Sequence, residues 1–365
     1  MTATKQILLL EDTPERGVAI EKALKKAAKK QFQVSRFVGD KTDADRGAYE
    51  DRLHAEFASP KFKNLAMIVT DRDLSALPGY PGLSEAIVSR VATDLSVPVC
   101  VYAAGRNDSL IERHRSGGGG RILLDSADAS SMAEKVCILA DGFLKIRDVV
   151  LAVSKSKKMK ADSRGPASVL ARLLDAPEVT DQLALYTRGD QRMIAGLTPR
   201  AVSATQTPDE IRRVSLALGV WLYDSVLRFP GVVLGAVAAG SFLGVDPEQL
   251  GQPNVAKVFA KAAYGGPFAD DTEPRWWRHR LAELLTTNGV SDGRELIKKR
   301  TKKAVKACVC SVDKKAPAGF ICVMTEQPVC EEHSAGQIGW LPRGADLARV
   351  RRDLYEEIGP WVGMS

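Results

Sequence analysis

The sequence predicts an α/β protein. A doubly wound parallel five-stranded sheet comes first, followed by a mainly helical domain with a small cysteine-containing β or irregular segment. Three observations predict it. Over the first 150 residues, short apolar runs such as ILLL and MIVT alternate with amphipathic stretches of helical length, and repeated β-then-α units imply a parallel sheet with helices on both faces. Two of those runs end in acids, at Glu11-Asp12 and at Asp71, so carboxylates gather at the carboxyl edge of the sheet, where such folds place their sites. After a polar, basic stretch that ends in Gly-Pro, the alternation stops and helical spacing takes over.

Taken in order, Gln6–Leu10 is a strand, and Pro14–Lys30 is a helix with Val18, Ile20 and Leu24 at helical spacing. Phe32–Val38 alternates apolar and polar residues as a strand does. Gly39–Ser59 reads as an insertion. Ala66–Val69 and Val97–Val101 are buried strands with the helix Leu83–Asp94 between them. Ile122–Leu124 is a short last strand, and Ser130–Ala152 is a long amphipathic helix. These make a domain over residues 1–153, and Ser154–Pro166 is the linker. In the second domain, 167–365, helices are expected at Ala167–Ala176, Thr207–Arg228, Val232–Leu243, Asn254–Tyr264, Arg275–Thr287 and Asp292–Lys306. Residues 307–342 read as strand-like or irregular, and Ala345–Ile358 as a closing charged helix.

The bulk properties narrow the function classes. A chain of 365 residues suits two or three domains with a sizeable core. No run of eighteen apolar residues exists, and the N-terminus MTATKQILLL resembles neither a signal peptide nor an anchor, so a cytoplasmic protein is expected. Six cysteines without a signal argue against a disulfide scaffold. The net charge of +7 sits mainly in the C-terminal part, a mild hint of an acidic partner.

The acids carry the most specific chemistry. ILLLEDT places Glu11 and Asp12 after the first strand, MIVTDRDL places Asp71 and Asp73 after the third, and VPVCVYAAG is the fourth. This pattern resembles a response-regulator receiver domain, a flavodoxin-like fold of two-component signalling, over roughly the first 150 residues. The resemblance implies Asp71 as phosphoacceptor and a magnesium site made by Asp12 and Asp71, with Glu11 assisting and Asp73 lending a carbonyl. Clustered carboxylates suit that task because a phosphoryl group in transfer carries charge that a hard divalent cation neutralises. The switch positions are altered. Ala103 stands where a receiver carries Ser or Thr, and Asp125 stands where it carries Lys. Those changes remove two contacts that stabilise a phosphoryl group. The resemblance therefore implies a degenerate receiver used for docking or dimerisation, with a sensor kinase, an effector or a second copy as partner.

Four further features invite function. Gly117–Gly120 lies before a strand and lacks the Gly-Lys-Ser/Thr ending of a nucleotide loop, so it reads as a flexible loop. Val232–Leu250 resembles two helices of a helix-turn-helix unit, but its second helix lacks basic residues and a plain helical hairpin is the simpler reading. Lys298, Lys299, Arg300, Lys302, Lys303 and Lys306 could neutralise phosphates of a nucleic acid, or serve as a solvated helix face or a contact for an acidic protein. Cys308, Cys310, Cys322, Cys330 and His333 are soft ligands suited to zinc, or buried free thiols. On a strand, Cys308 and Cys310 would leave only one able to ligate if they faced opposite ways. No catalytic constellation stands out. The reading is a non-enzymatic signalling or adaptor protein with a helical output domain; the alternatives are a nucleic-acid-binding regulator using Lys298–Lys306 and an unrecognised C-terminal enzyme.

Overall fold

The structure, a computed structural model, describes residues 5–39, 48–102, 121–124, 128–155, 165–188, 207–336 and 338–362. The altered switch positions Ala103 and Asp125, the Gly117–Gly120 run and most of the expected linker lie outside them. The chain divides into two compact units, Met1–Asp162 with Arg200–Val220, and Ser163–Pro199 with Trp221–Ser365.

In the first unit the elements are β1 (Lys5–Leu10), α1 (Pro14–Ala28), β2 (Phe32–Phe37), α2 (Tyr49–Phe57), β3 (Leu65–Asp71), β4 (Asp73–Leu74), β5 (Leu83–Ser84), α3 (Glu85–Asp94), β6 (Val99–Tyr102), β7 (Arg121–Leu124) and α4 (Ala129–Lys155). Five strands form a parallel sheet in the order β2-β1-β3-β6-β7, the flavodoxin-like doubly wound order that receivers share. The central strands are buried on both faces, which is why they read as continuous apolar runs. Leu8, Leu10, Ile68, Val99 and Val101 join Leu53, Phe57, Val88 and Val91 in one core cluster. Ile7, Leu9, Met67 and Val69 alternate to the other face and are also fully buried. Each such side chain contributes about 1.5–3 kcal/mol of burial.

Three sequence expectations change here. The stretch expected as an insertion contains α2, whose Leu53 and Phe57, one helical turn apart, enter the core. The helix Pro208–Trp221, read as part of the C-terminal domain, lies up to Val220 in the first unit. Gly219 lets it close on α4, because a Cβ there would sit 2.3 Å from a ring carbon of Phe143. The helix expected to run on to Arg228 gives way to a π-helical turn at Leu222–Val226.

The second unit is mainly helical, with two small sheets. β8 (Val233–Gly235) pairs antiparallel with β9 (Arg275–Trp277). β10 (Phe320–Cys322), β11 (Gln327–Val329), β12 (Ser334–Ala335) and β13 (Ala348–Arg351) form a four-stranded sheet in the order β11-β10-β13-β12. The expected closing helix Ala345–Ile358 is therefore displaced. In ARVR, Ala348 and Val350 are buried while Arg349 and Arg351 are less so, a period of two that suits a strand, and the helix starts at Arg352. The helices Ala236–Leu243 and Pro247–Leu250 turn at Gly244, whose φ of 69° favours glycine. A Cβ on Gly240 would lie 2.6 Å from the Val245 carbonyl, so only glycine permits this close return. Trp276 and Trp277 are both buried, and Trp277 packs edge-on against Tyr264 at 5.3 Å between ring centres.

The parallel sheet positions everything in the first unit, so its centre should be intolerant of cavities. Ile68→Ala is expected to cost about 2–5 kcal/mol in a urea melt.

Candidate functional site

The strand register builds a row of polar groups at the carboxyl edge of the parallel sheet. Leu10 pairs with Thr70, and Asp71 pairs with Tyr102. Glu11, the next residue after β1, therefore falls beside Asp71, with Tyr102 beyond it. Glu11, Asp71 and Tyr102 are all buried. The Tyr102 hydroxyl donates to Glu11 Oε2 at 2.8 Å. Glu11 Oε1 accepts the Thr13 N–H at 2.9 Å, and Asp71 Oδ1 accepts the Arg72 N–H at 2.6 Å. Asp12 Oδ2 accepts the Ala76 N–H at 3.0 Å. One oxygen from each of Glu11, Asp12 and Asp71 lies within 4.8 Å of the others. These are the hard donors that a divalent cation such as magnesium takes. The Asp73 carboxylate is elsewhere: it is exposed and accepts the Ser75 N–H at 3.0 Å, which holds it below its ordinary pKa.

A positive charge already stands in this row. Arg16, in the first turns of α1, places Nη1 3.0 Å from Asp71 Oδ2 and 3.7 Å from Glu11 Oε2. Even so, burial and then the Glu11 carboxylate push the Asp71 carboxyl above its ordinary pKa, against the Arg72 N–H and Arg16. Burial, followed by the Glu11 charge, also pushes the Tyr102 phenol up, so it remains a donor at neutral pH. Sequence reasoning found the acids and missed Arg16 and Tyr102. A signal for Arg16 existed: it lies four residues beyond Asp12 on the helix that opens at Pro14, which turns it back toward the same edge.

The second group of candidate ligands divides. Cys310 Sγ and Cys330 Sγ lie 3.7 Å and 3.1 Å from His333 Nδ1, and the three ligand atoms are mutually within 4.8 Å. Cys308 points away and sits 3.7 Å from the Ser241 hydroxyl. Cys322 is buried, and its sulfur accepts the Arg351 N–H at 3.4 Å. Burial raises the Cys310 thiol, yet the N–H groups of Val312, Cys330 and Asp313 outweigh it and bring the thiol below its ordinary pKa.

The basic run is not one helix. Its helix ends at Thr301, and Lys302 takes the left-handed conformation at φ 61°. Lys298, Lys299 and Arg300 thus occupy the last turn, where cations complement the helix dipole. Lys299 donates to the Asn288 carbonyl at 2.8 Å and Arg300 to the Asn288 side chain at 2.9 Å. Lys302, Lys303 and Lys306 lie on exposed chain outside the helix. The suspected recognition helix of the helix-turn-helix reading, Pro247–Leu250, is four residues long and is capped by Asp246. Among the described residues, no helix is long and apolar enough to cross a membrane.

No protein-family model matches the chain, and no curated protein matches it. Among solved structures, one described as two RcsB dimers bound to two parallel DNAs is 13% identical, covering 55% of this chain and 87% of that one with a TM-score of 0.25. A likeness that slight carries no argument. The receiver-like architecture rests on the strand order and the placement of the acids in the first unit.

The raised Asp71 carboxyl has a pH consequence. A carboxyl raised above its unfolded value contributes most below that unfolded value, and its contribution is lost as pH rises through the folded one. Asp71→Asn cannot ionise. In metal-free buffer it is expected to be more stable than the wild type near about pH 7 and to lose that advantage below about pH 4. Urea melts at the two pH values check this.

Proposed function

We propose that the chain is a signalling or adaptor protein of two-component type. Its first unit is a degenerate receiver that docks a partner protein or a second copy, and its second unit is the output. The observation that supports this most is Arg16. A working receiver leaves its acidic edge to a divalent cation and a phosphoryl group. Here an internal guanidinium is paired with the acceptor-position carboxylate Asp71 and stands beside Glu11, while the Tyr102 hydroxyl takes up the second Glu11 oxygen. Charge that a metal would supply is provided in part by the fold itself. The sequence changes to Ala103 and Asp125 point the same way, since neither can offer a hydroxyl or an ammonium to a phosphoryl oxygen.

The donor set still fits magnesium. Glu11, Asp12 and Asp71 would hold the ion, and its chemistry would be to neutralise charge at the acid edge. Arg16 would compete with it for Asp71. The basic run is the feature a nucleic-acid reading would use. Two of its six cations are engaged with Asn288, and the helix that would carry it ends at Thr301, so the docking reading is preferred.

Incubation of the protein with a small phosphodonor and magnesium, followed by intact-mass measurement, tests the proposal. No gain of a phosphoryl group is expected. A gain of one group that disappears in Asp71→Asn would make this a working receiver and overturn the reading.

A further inference from the structure

The small four-stranded sheet is built of short strands, although Ile321 of β10 packs on the helical core. Its strands are two to four residues long, and structures of that size usually need a staple. The cysteines stand where a staple would act. Cys310 comes just after Val309, which bridges to Pro317, and is fixed by its N–H to the Ala316 carbonyl at 2.9 Å. The next residue, Ser311, donates to the Pro328 carbonyl of β11 at 2.9 Å. Cys330 comes directly after β11. His333 comes directly before β12, and its carbonyl accepts the Arg352 N–H at 3.0 Å. Cys322 closes β10 and accepts the N–H of Arg351, the residue beside Arg352. Cys322 and His333 therefore meet the same end of β13 through consecutive residues.

The distances suit one metal. Zinc bonds of about 2.3 Å to sulfur and about 2.0–2.1 Å to nitrogen at tetrahedral angles separate S from N by about 3.6 Å. The two S···N separations here are 3.7 Å and 3.1 Å. Soft thiolate and imidazole donors select zinc over magnesium or calcium.

We propose that Cys310, Cys330 and His333 hold a structural zinc ion, with Cys322, whose sulfur lies outside the close group those three form, moving in as the fourth ligand when the ion binds. Binding releases the thiol protons and leaves three thiolates and one neutral imidazole on the metal, with no oxidant or reductant required. Four protein ligands leave no open position, so the ion pins strands and does no chemistry. The competing oxygen donor is Asp313, whose Oδ2 lies 4.0 Å from His333 Nδ1. Its Oδ1 already accepts the N–H groups of Lys315 and Ala316, which makes it a turn-closing group. Cys308 faces Ser241 and is outside the site.

The full chain, reduced and metal-free, should be titrated with cobalt(II) and then zinc, reading the thiolate-to-cobalt absorption and the metal content by mass spectrometry. One tetrahedral metal per chain is expected. Cys308→Ser should bind like the wild type, whereas Cys330→Ser and His333→Ala should weaken binding at least about tenfold, the lower bound seen when even an outer partner of a ligand is lost. Cys322→Ser should weaken binding and reduce the thiolate absorption, while Asp313→Asn should leave both unchanged. A wild-type chain that takes up neither metal overturns the proposal, and that result does not depend on any variant folding. Wild-type affinity in Cys322→Ser, or a loss in Asp313→Asn, overturns the fourth-ligand assignment.

Discussion

Two buried carboxylates side by side are costly, and the first unit is arranged around that cost. The register that pairs Leu10 with Thr70 and Asp71 with Tyr102 forces Glu11 and Asp71 together at the sheet edge. Two adjacent buried charges need a partner there. Arg16 and the Tyr102 hydroxyl supply it, from a helix start and a strand end that the same sheet order brings to this edge. The position of α1 and the burial of Tyr102 at the end of β6 are thus tied to one electrostatic requirement. The functional reading rests on the same fact, because a pocket whose charge is met from within has less need of a metal.

The second unit handles a different shortage. Its helical part has a real core, in which Leu243, Phe259, Trp276 and Leu296 are buried. The appended sheet has short strands and a concentration of thiols. In a chain whose other two cysteines, Cys100 and Cys137, lie in β6 and α4, the meeting of Cys310, Cys330 and His333 comes from the turns that join short strands. Closely spaced turns bring residues 310, 330 and 333 to one point although the first is far from the other two in sequence.

Much of the first unit was legible because its signals are local. Buried parallel strands are continuous apolar runs, and acids after them mark the carboxyl edge. The features that escaped were pairwise. Arg16 and Tyr102 acquire meaning only through contacts across 55 and 91 residues. The sequence 39–59 looked like an insertion because the stretch between Asp12 and Asp71 is long, yet Leu53 and Phe57, one turn apart, seat a nine-residue helix in the core with Tyr49 packed beside them. In the second unit, ARVR looked helical in the company of DLYEEI, and pairing with β10 and β12 turned it into a strand. The basic run looked like part of one helix because lysine suits the last turn of a helix and the irregular chain beyond it equally well. The two-faced reading of Cys308 and Cys310 did come from strand geometry, and the two sulfurs do find different partners, Ser241 and His333.

If Arg16 takes the electrostatic place of a divalent cation at the acid edge, its removal should favour magnesium there. Calorimetric titration of magnesium into the wild type and into Arg16→Ala tests it most directly. Arg16→Ala is expected to bind magnesium about fivefold more tightly, the equivalent of the ~1 kcal/mol that a half-exposed ion pair is worth. Equal affinity, or tighter binding by the wild type, would contradict it.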